Sequence, residues 1–144
     1  MSEVDVVVNS EAGLLKAIRV APVDEASYVI GLSKDIVLKK SLEIPDGKNI
    51  TLTSDGGDVA WRLVGANNQN TINVLGFLVI DGIVVTHVEN GCGRGVYVES
   101  KGTLILVGGE ISGNVINESG GGVYNMGNFE MSAGMISGNN ASEG

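Results

Sequence analysis

The sequence predicts an all-β fold: a right-handed parallel β-helix whose coils stack along one axis behind a short N-terminal helix. Three observations lead there. Gly accounts for 22 of the 144 residues, 16 of them from Gly76 onward, set among Val, Ile and Leu without a Gly-X-Y period. That is the composition of short strands joined by tight bends. Short apolar runs follow one another closely after Pro22, with no helical pattern between them. The second half also repeats itself, Gly91–Asn114 reading GCGRGVYVESKGTLILVGGEISGN and Gly120–Asn139 reading GGGVYNMGNFEMSAGMISGN. One domain is expected over 1–144, with a capping helix at 9–22 and stacked coils at 27–144.

The helix comes first. Asn9 or Ser10 can cap it, Glu11 suits its first turn, and Pro22 ends it. Leu14, Leu15, Ile18 and Ala21 share one face at helical spacing. Such a helix can cover the open end of a solenoid core. Four strands are then expected at Tyr28-Val29-Ile30, Ile36-Val37-Leu38, Leu42-Glu43-Ile44 and Ile50-Thr51-Leu52. Turn residues separate them at Ser33-Lys34-Asp35, Pro45-Asp46-Gly47 and Ser54-Asp55-Gly56-Gly57. Strands this short with no intervening helices exclude a βαβ architecture.

The repeat gives the register. Val96-Tyr97 answers Val123-Tyr124 at 27 residues, and Gly109, Ile111, Gly113 and Asn114 answer Gly134, Ile136, Gly138 and Asn139 at 25. A spacing of 27 carried backward gives two interior ladders, Ile50–Phe77–Leu104–Phe129 and Leu52–Val79–Leu106–Met131. A third runs Val84–Ile111–Ile136. Coils would hydrogen-bond along the axis about 4.8 Å apart, with Asn114 and Asn139 stacked at a corner as in amide ladders and His87 at the equivalent place. A leucine-rich repeat fits poorly, because the Leu104-x-Leu106 pair lacks the leucine three positions earlier.

The repeat unit resembles the GGGxYN…ISGN repeats of large bacterial surface proteins, adhesin-like or polymorphic outer-membrane-type; the likeness is specific for Gly91–Gly144 and looser for Ser10–Asn90. It implies an exported or surface-displayed β-helix, here the N-terminal part of a longer solenoid, and implies little about a ligand. Val6-Val7-Val8 is too short for an export signal, so any such signal is expected either to have been removed or never to have existed.

Charge and chemistry narrow the function. A net charge of −8 disfavours phosphate backbones, and Lys34, Lys39 and Lys40 read as a solvated strand edge. A lone cysteine, Cys92, forms no internal disulfide. The same architecture hosts pectate-lyase-like enzymes, for which Asp55, Asp58 and Asp81 are the carboxylate candidates and Arg62, Arg94 and Lys101 the bases. Asp55 and Asp58 flank Gly56-Gly57 and Asp81 precedes Gly82, so all three read as turn residues. His87, Glu89 and Cys92 are too few and too loosely spaced for zinc. Gly91, Gly93 and Gly95 lack the Lys-Ser/Thr of a phosphate loop. Tyr97 and Tyr124 form either a carbohydrate strip or, the favoured reading, a packed pair. Thr51, Thr71, Thr86 and Thr103 share no register, so an ice-binding face is set aside.

The expectation is therefore a non-catalytic, extracellular or cell-surface scaffold, adhesin-like, contacting a protein or carbohydrate ligand. The alternative is a carbohydrate-active enzyme or a fragment of one. No catalytic, cofactor-binding or metal-binding residues, nucleic acid or membrane insertion are expected. End-to-end self-association is expected through a C-terminal coil exposing Phe129, Met131 and Ile136.

Overall fold

The computed structural model describes residues 4–24 and 26–143. They form a parallel β-solenoid of about five turns. The chain opens with β1 (Val6–Val8) and α1 (Glu11–Val20), which together close one end. The first coil carries β2 (Tyr28–Leu32), β3 (Ile36–Val37) and β4 (Leu42–Ile44). The second carries β5 (Asn49–Ser54), β6 (Arg62–Gly65) and β7 (Ile72–Val74). In the third, the long β8 (Phe77–His87) bends across two faces before β9 (Val96–Val98). The fourth repeats this with β10 (Thr103–Ser112), β11 (Val115–Ser119) and β12 (Val123–Asn125). The last holds β13 (Asn128–Met131), β14 (Met135–Ser137) and β15 (Asn140–Glu143).

The helix forms as its sequence dictates, two residues shorter at each end than the 9–22 expected. Ser10 is extended and its Oγ accepts from Gly13 N at 3.1 Å, a standard N-cap. Ala21 leaves the helix with ψ 142°, the conformation that a following Pro22 favours. Lys48 Nζ donates to the Arg19 and Ala21 carbonyls, placing a cation at the negative end of the helix. The buried face is Leu14, Ala17 and Ile18, continued by Ala21. Leu15 was expected there but is 39% exposed. It sits one residue round from Leu14, and the stripe touching the solenoid end is narrow enough for Ala17 to complete it.

All strand pairing between coils is parallel and runs along the axis. One large sheet stacks β1, β2, β5, β8, β10 and β13, with β3 and β6 joining β8, and β14 joining β10. A second sheet stacks β4, β7, β9 and β12, and β11 pairs β15. The spacings of 27 between Val96-Tyr97 and Val123-Tyr124, and of 25 between Ile111 and Ile136, stand as read. The earlier register does not. Ile50 lies beside Leu78, and Leu78 beside Leu104, so the interior ladder is Ile50–Leu78–Leu104–Phe129. Its neighbour is Leu52–Ile80–Leu106–Met131, and the third ladder passes through Ile36, Leu63, Val85, Ile111 and Ile136. Phe77, Val79 and Val84, placed inside by a uniform spacing, point outward and are half-exposed. A one-residue slip exchanges the faces of a strand, and the buried set Leu78, Ile80 and Val85, each fully enclosed, fixes the register.

Two compensating irregularities let the long strands turn the corner. Between Leu106 and Gly108, and again between Gly108 and Glu110, the register of β10 against β8 shifts by one residue. Gly82, Gly109 and Gly134 sit at this bend with φ of +106°, +91° and +89°, a conformation that only glycine adopts freely.

Candidate functional site

The densest polar cluster lies inside the wall at the corner following β6, β8, β10 and β14. His87 is 4% exposed and Asn114 fully buried. His87 Nδ1 lies 2.7 Å from Asn114 Oδ1, and Nε2 lies 2.6 Å from the Gln69 carbonyl oxygen. Asn114 Nδ2 donates to Asn139 Oδ1 at 2.9 Å, and Asn139 Nδ2 donates to the Ile111 carbonyl at 2.9 Å. The expected corner ladder is therefore present, with His87 as its first member. Buried polar groups persist only when bonded in this way.

Glycines make room for it. A Cβ on Gly93 would overlap the Gln69 carbonyl and the His87 ring; one on Gly95 would meet the Asn114 amide, and one on Gly122 the Asn139 amide. This explains why the repeat couples Gly-Val-Tyr to a later Ile-Ser-Gly-Asn. Gly91, Gly93 and Gly95, which resemble a phosphate loop on paper, are clearance for neighbouring side chains. The role of Gly95 and Gly122 was missed from sequence, although their fixed phase relative to Asn114 and Asn139 was the available signal.

On the outside of the second sheet one column reads Glu43, Asn73, Tyr97, Tyr124. The two tyrosine rings stack with centroids 5.1 Å apart and planes 9° from parallel. Arg94 lies 5.7 and 4.5 Å from the two centroids, its Nε donating to the Ser119 carbonyl at 2.8 Å and its guanidinium pairing with Glu118 at 3.3 Å. Tyr97 Oη donates to Met126 Sδ at 3.0 Å. The ring faces turn toward each other along the axis, so this is a packed aromatic pair with a cation–π clamp.

The other candidates are dispersed. Gly56 and Gly57 have positive φ, so Asp55 and Asp58 lie on a turn, which Trp61 pins by donating from Nε1 to the Asp55 carbonyl at 2.8 Å. Asp81 precedes Gly82 in β8, paired with Thr53 and Gly108. Arg62 and Lys101 are exposed, and Arg94 is engaged as above. Both His87 nitrogens are occupied, and Cys92 is half-buried with its N–H on Asn67 Oδ1 at 2.9 Å. Among the described residues no group of three His, Cys, Asp or Glu converges as metal ligands would. Lys34, Lys39 and Lys40 are exposed, as a solvated edge requires. Thr51 and Thr103 occupy different columns of the large sheet. No described helix is long and apolar enough to cross a membrane.

Besides the groove lined by Asp35, Arg62 and Glu89, two surfaces among the described residues are open to a ligand. A shallow cleft of about 690 Å³ runs between α1 and the second sheet, lined by Leu15, Arg19, Lys40, Glu43, Gln69 and Asn73 among others. On the large sheet, Val79 and Ile105 form a half-exposed β-branched strip beside Phe77 and Thr103. No family model matches the chain, and no curated protein or solved structure matches it.

Proposed function

We propose that the chain is a non-catalytic, adhesin-like scaffold, displayed on a cell surface or secreted, that binds a partner protein through its outer wall. The observation that supports this is the contrast between the two sides of that wall. Inward columns keep one chemistry from coil to coil, as in Ile50–Leu78–Leu104–Phe129. Outward columns vary along the axis: Val79, Ile105 and Glu130 on one sheet, and Glu43, Asn73 and Tyr97 on the other, where Tyr124 repeats Tyr97. A constant interior carrying a varying exterior is the design of a presenting surface. The strip of Phe77, Val79 and Ile105 supplies apolar contact area, and the chain's net charge of −8 favours a positively charged partner.

Binding of the immobilised chain to a panel of extracellular-matrix proteins and to intact cells tests the reading. Val79→Lys and Ile105→Lys should weaken binding at least about tenfold, the loss of one good contact, with unchanged melting. Binding untouched by either variant would move the contact off this strip. Turnover of an acidic polysaccharide, with or without calcium, that disappears in Asp55→Ala or Asp81→Ala would replace the scaffold reading with the enzyme one.

A further inference from the structure

We propose that the cleft between α1 and the second sheet binds a saccharide carrying a carboxylate, a uronic or a sialic acid. It lies on the other sheet from the Phe77–Val79–Ile105 strip and goes beyond the protein contact proposed there. Neighbouring groups fix which hydrogen-bonding atoms the cleft keeps open. The Ser41 backbone N–H lies 3.4 Å from one end of the Gln69 side-chain amide, and its Oγ lies 3.3 Å from the same atom. An N–H only donates, so that end is oxygen, and the Gln69 NH2 is left without a partner among the described residues. The Arg94 N–H likewise fixes the Asn70 oxygen at 3.3 Å. The Asn70 NH2 then donates to Asn73 Oδ1 at 2.9 Å, leaving the Asn73 NH2 open. Glu43 adds its main chain. The Leu42 N–H donates to the Thr71 carbonyl, and the Ile44 carbonyl accepts from Leu75 and Gly76, so both residues turn to β7. In a parallel ladder the residue between them points its backbone groups the other way. Because β4 ends its sheet, the Glu43 N–H and C=O are open on the free edge, at the end that α1 covers.

Charge selects the ligand. Arg19, Lys40 and Lys48 line the cleft, with Glu43 the single carboxylate among the lining residues, in a chain of net charge −8. Lys48 is held by the Arg19 and Ala21 carbonyls, and Glu11 accepts from the Lys39 N–H at 2.8 Å. Arg19 and Lys40 make no ion pair among the described residues, where the one pair is Arg94–Glu118. A carboxylate answers these cations. Hydroxyls, which both donate and accept, answer the amide NH2 groups and the main chain and carboxylate of Glu43. A bare oxyanion would be repelled by Glu43 and would leave its acceptors unbonded. An acidic peptide strand gains little here, because β4 is three residues long and Pro45 after it has no N–H to pair. Exposed Leu15 offers an apolar patch to the C–H face of a sugar ring. The volume of about 690 Å³ falls within the roughly 300–1,000 Å³ of small-ligand sites.

Calorimetric titration of the full chain with a hyaluronan tetrasaccharide and with sialyllactose, against lactose and tetra-aspartate, tests the site. At low salt an acidic saccharide should bind at least about tenfold more tightly than lactose and weaken as salt is raised. Which of the two binds distinguishes a uronic from a sialic acid. Lys40→Gln removes an exposed cation; Gln69→Glu keeps an oxygen for Ser41 and replaces the open NH2 by a second oxygen. Each should weaken binding about tenfold with unchanged melting. No binding of either acidic saccharide overturns the proposal, as does equal binding of lactose or binding that both variants leave unchanged. Tighter binding of tetra-aspartate than of either saccharide would make the ligand an acidic peptide and overturn the saccharide assignment. Should a variant fail to fold, the comparison of ligands on the wild-type chain decides alone.

Discussion

Replacing Leu78 by Ala, and separately Val79 by Ala, tests the coil register at the place where uniform spacing fails. Leu78 is fully enclosed between Ile50 and Leu104. Truncation removes three carbons, each contributing about 0.8 kcal/mol on burial, and leaves a void. Strands paired on both sides hold the neighbouring coils apart, so the void closes poorly and the loss should fall at about 3–5 kcal/mol, the upper part of the range for such substitutions. Val79 is half-exposed on the outer wall, and its truncation should cost roughly 1 kcal/mol or less. Against a total of about 5–15 kcal/mol the two are easily separated. Urea denaturation followed by circular dichroism would show a much lower midpoint for Leu78→Ala with the slope unchanged. Val79→Asp should fold, whereas Leu78→Asp should not, because its carboxylate has no partner inside the coil. A larger loss at Val79 than at Leu78 would refute the register and restore a uniform 27-residue coil.

Two further outcomes are expected. Gly93→Ala should destabilise by several kcal/mol, since the added carbon would overlap the Gln69 carbonyl and break buried bonds; at Gly57 nothing lies within 4 Å and the cost should be the backbone strain alone, about 1–2 kcal/mol, both read from thermal melts. The polypeptide of residues 1–144 should self-associate through its last coil, where Met126, Met131 and Met135 are 54%, 46% and 53% exposed. Light scattering should register this, and a Phe129→Lys/Met131→Lys variant should stay monomeric.

The repeat made the coils legible because glycine bends and corner asparagines recur as identities. The slip in the middle was not legible, and the cause is physical. One coil of 28 residues followed by one of 26 leaves the mean at 27, so Ile50 and Leu104, and Leu52 and Leu106, agree with a uniform spacing. The intervening stretch, Phe77-Leu78-Val79-Ile80, is apolar at every position and shows no alternation. A strand covered inside and partly covered outside carries no period-two signal. The corner was half legible. Asn114, Asn139 and His87 aligned by spacing, but the partners that complete it are the Gln69 backbone carbonyl and the hydroxyl of Thr71, which no side-chain pattern announces. Tyr97 and Tyr124 aligned for the same reason as the asparagines. Arg94 was weighed only as a base, whereas it lies over the two tyrosine rings with its polar atoms held by Ser119 and Glu118.

The closure of one end by α1 has a kinetic meaning. Each strand finds its partner one coil back along the chain, as Ile50 does with Tyr28 and Leu104 with Leu78. Although every sheet is parallel, no pairing must wait for a distant segment. The covered end offers the first finished surface, and each later coil is laid on the one before it. A chain emerging from the ribosome N-terminus first presents these units in the order in which they are needed. The solenoid can thus lengthen as it is made, each coil templated by its predecessor.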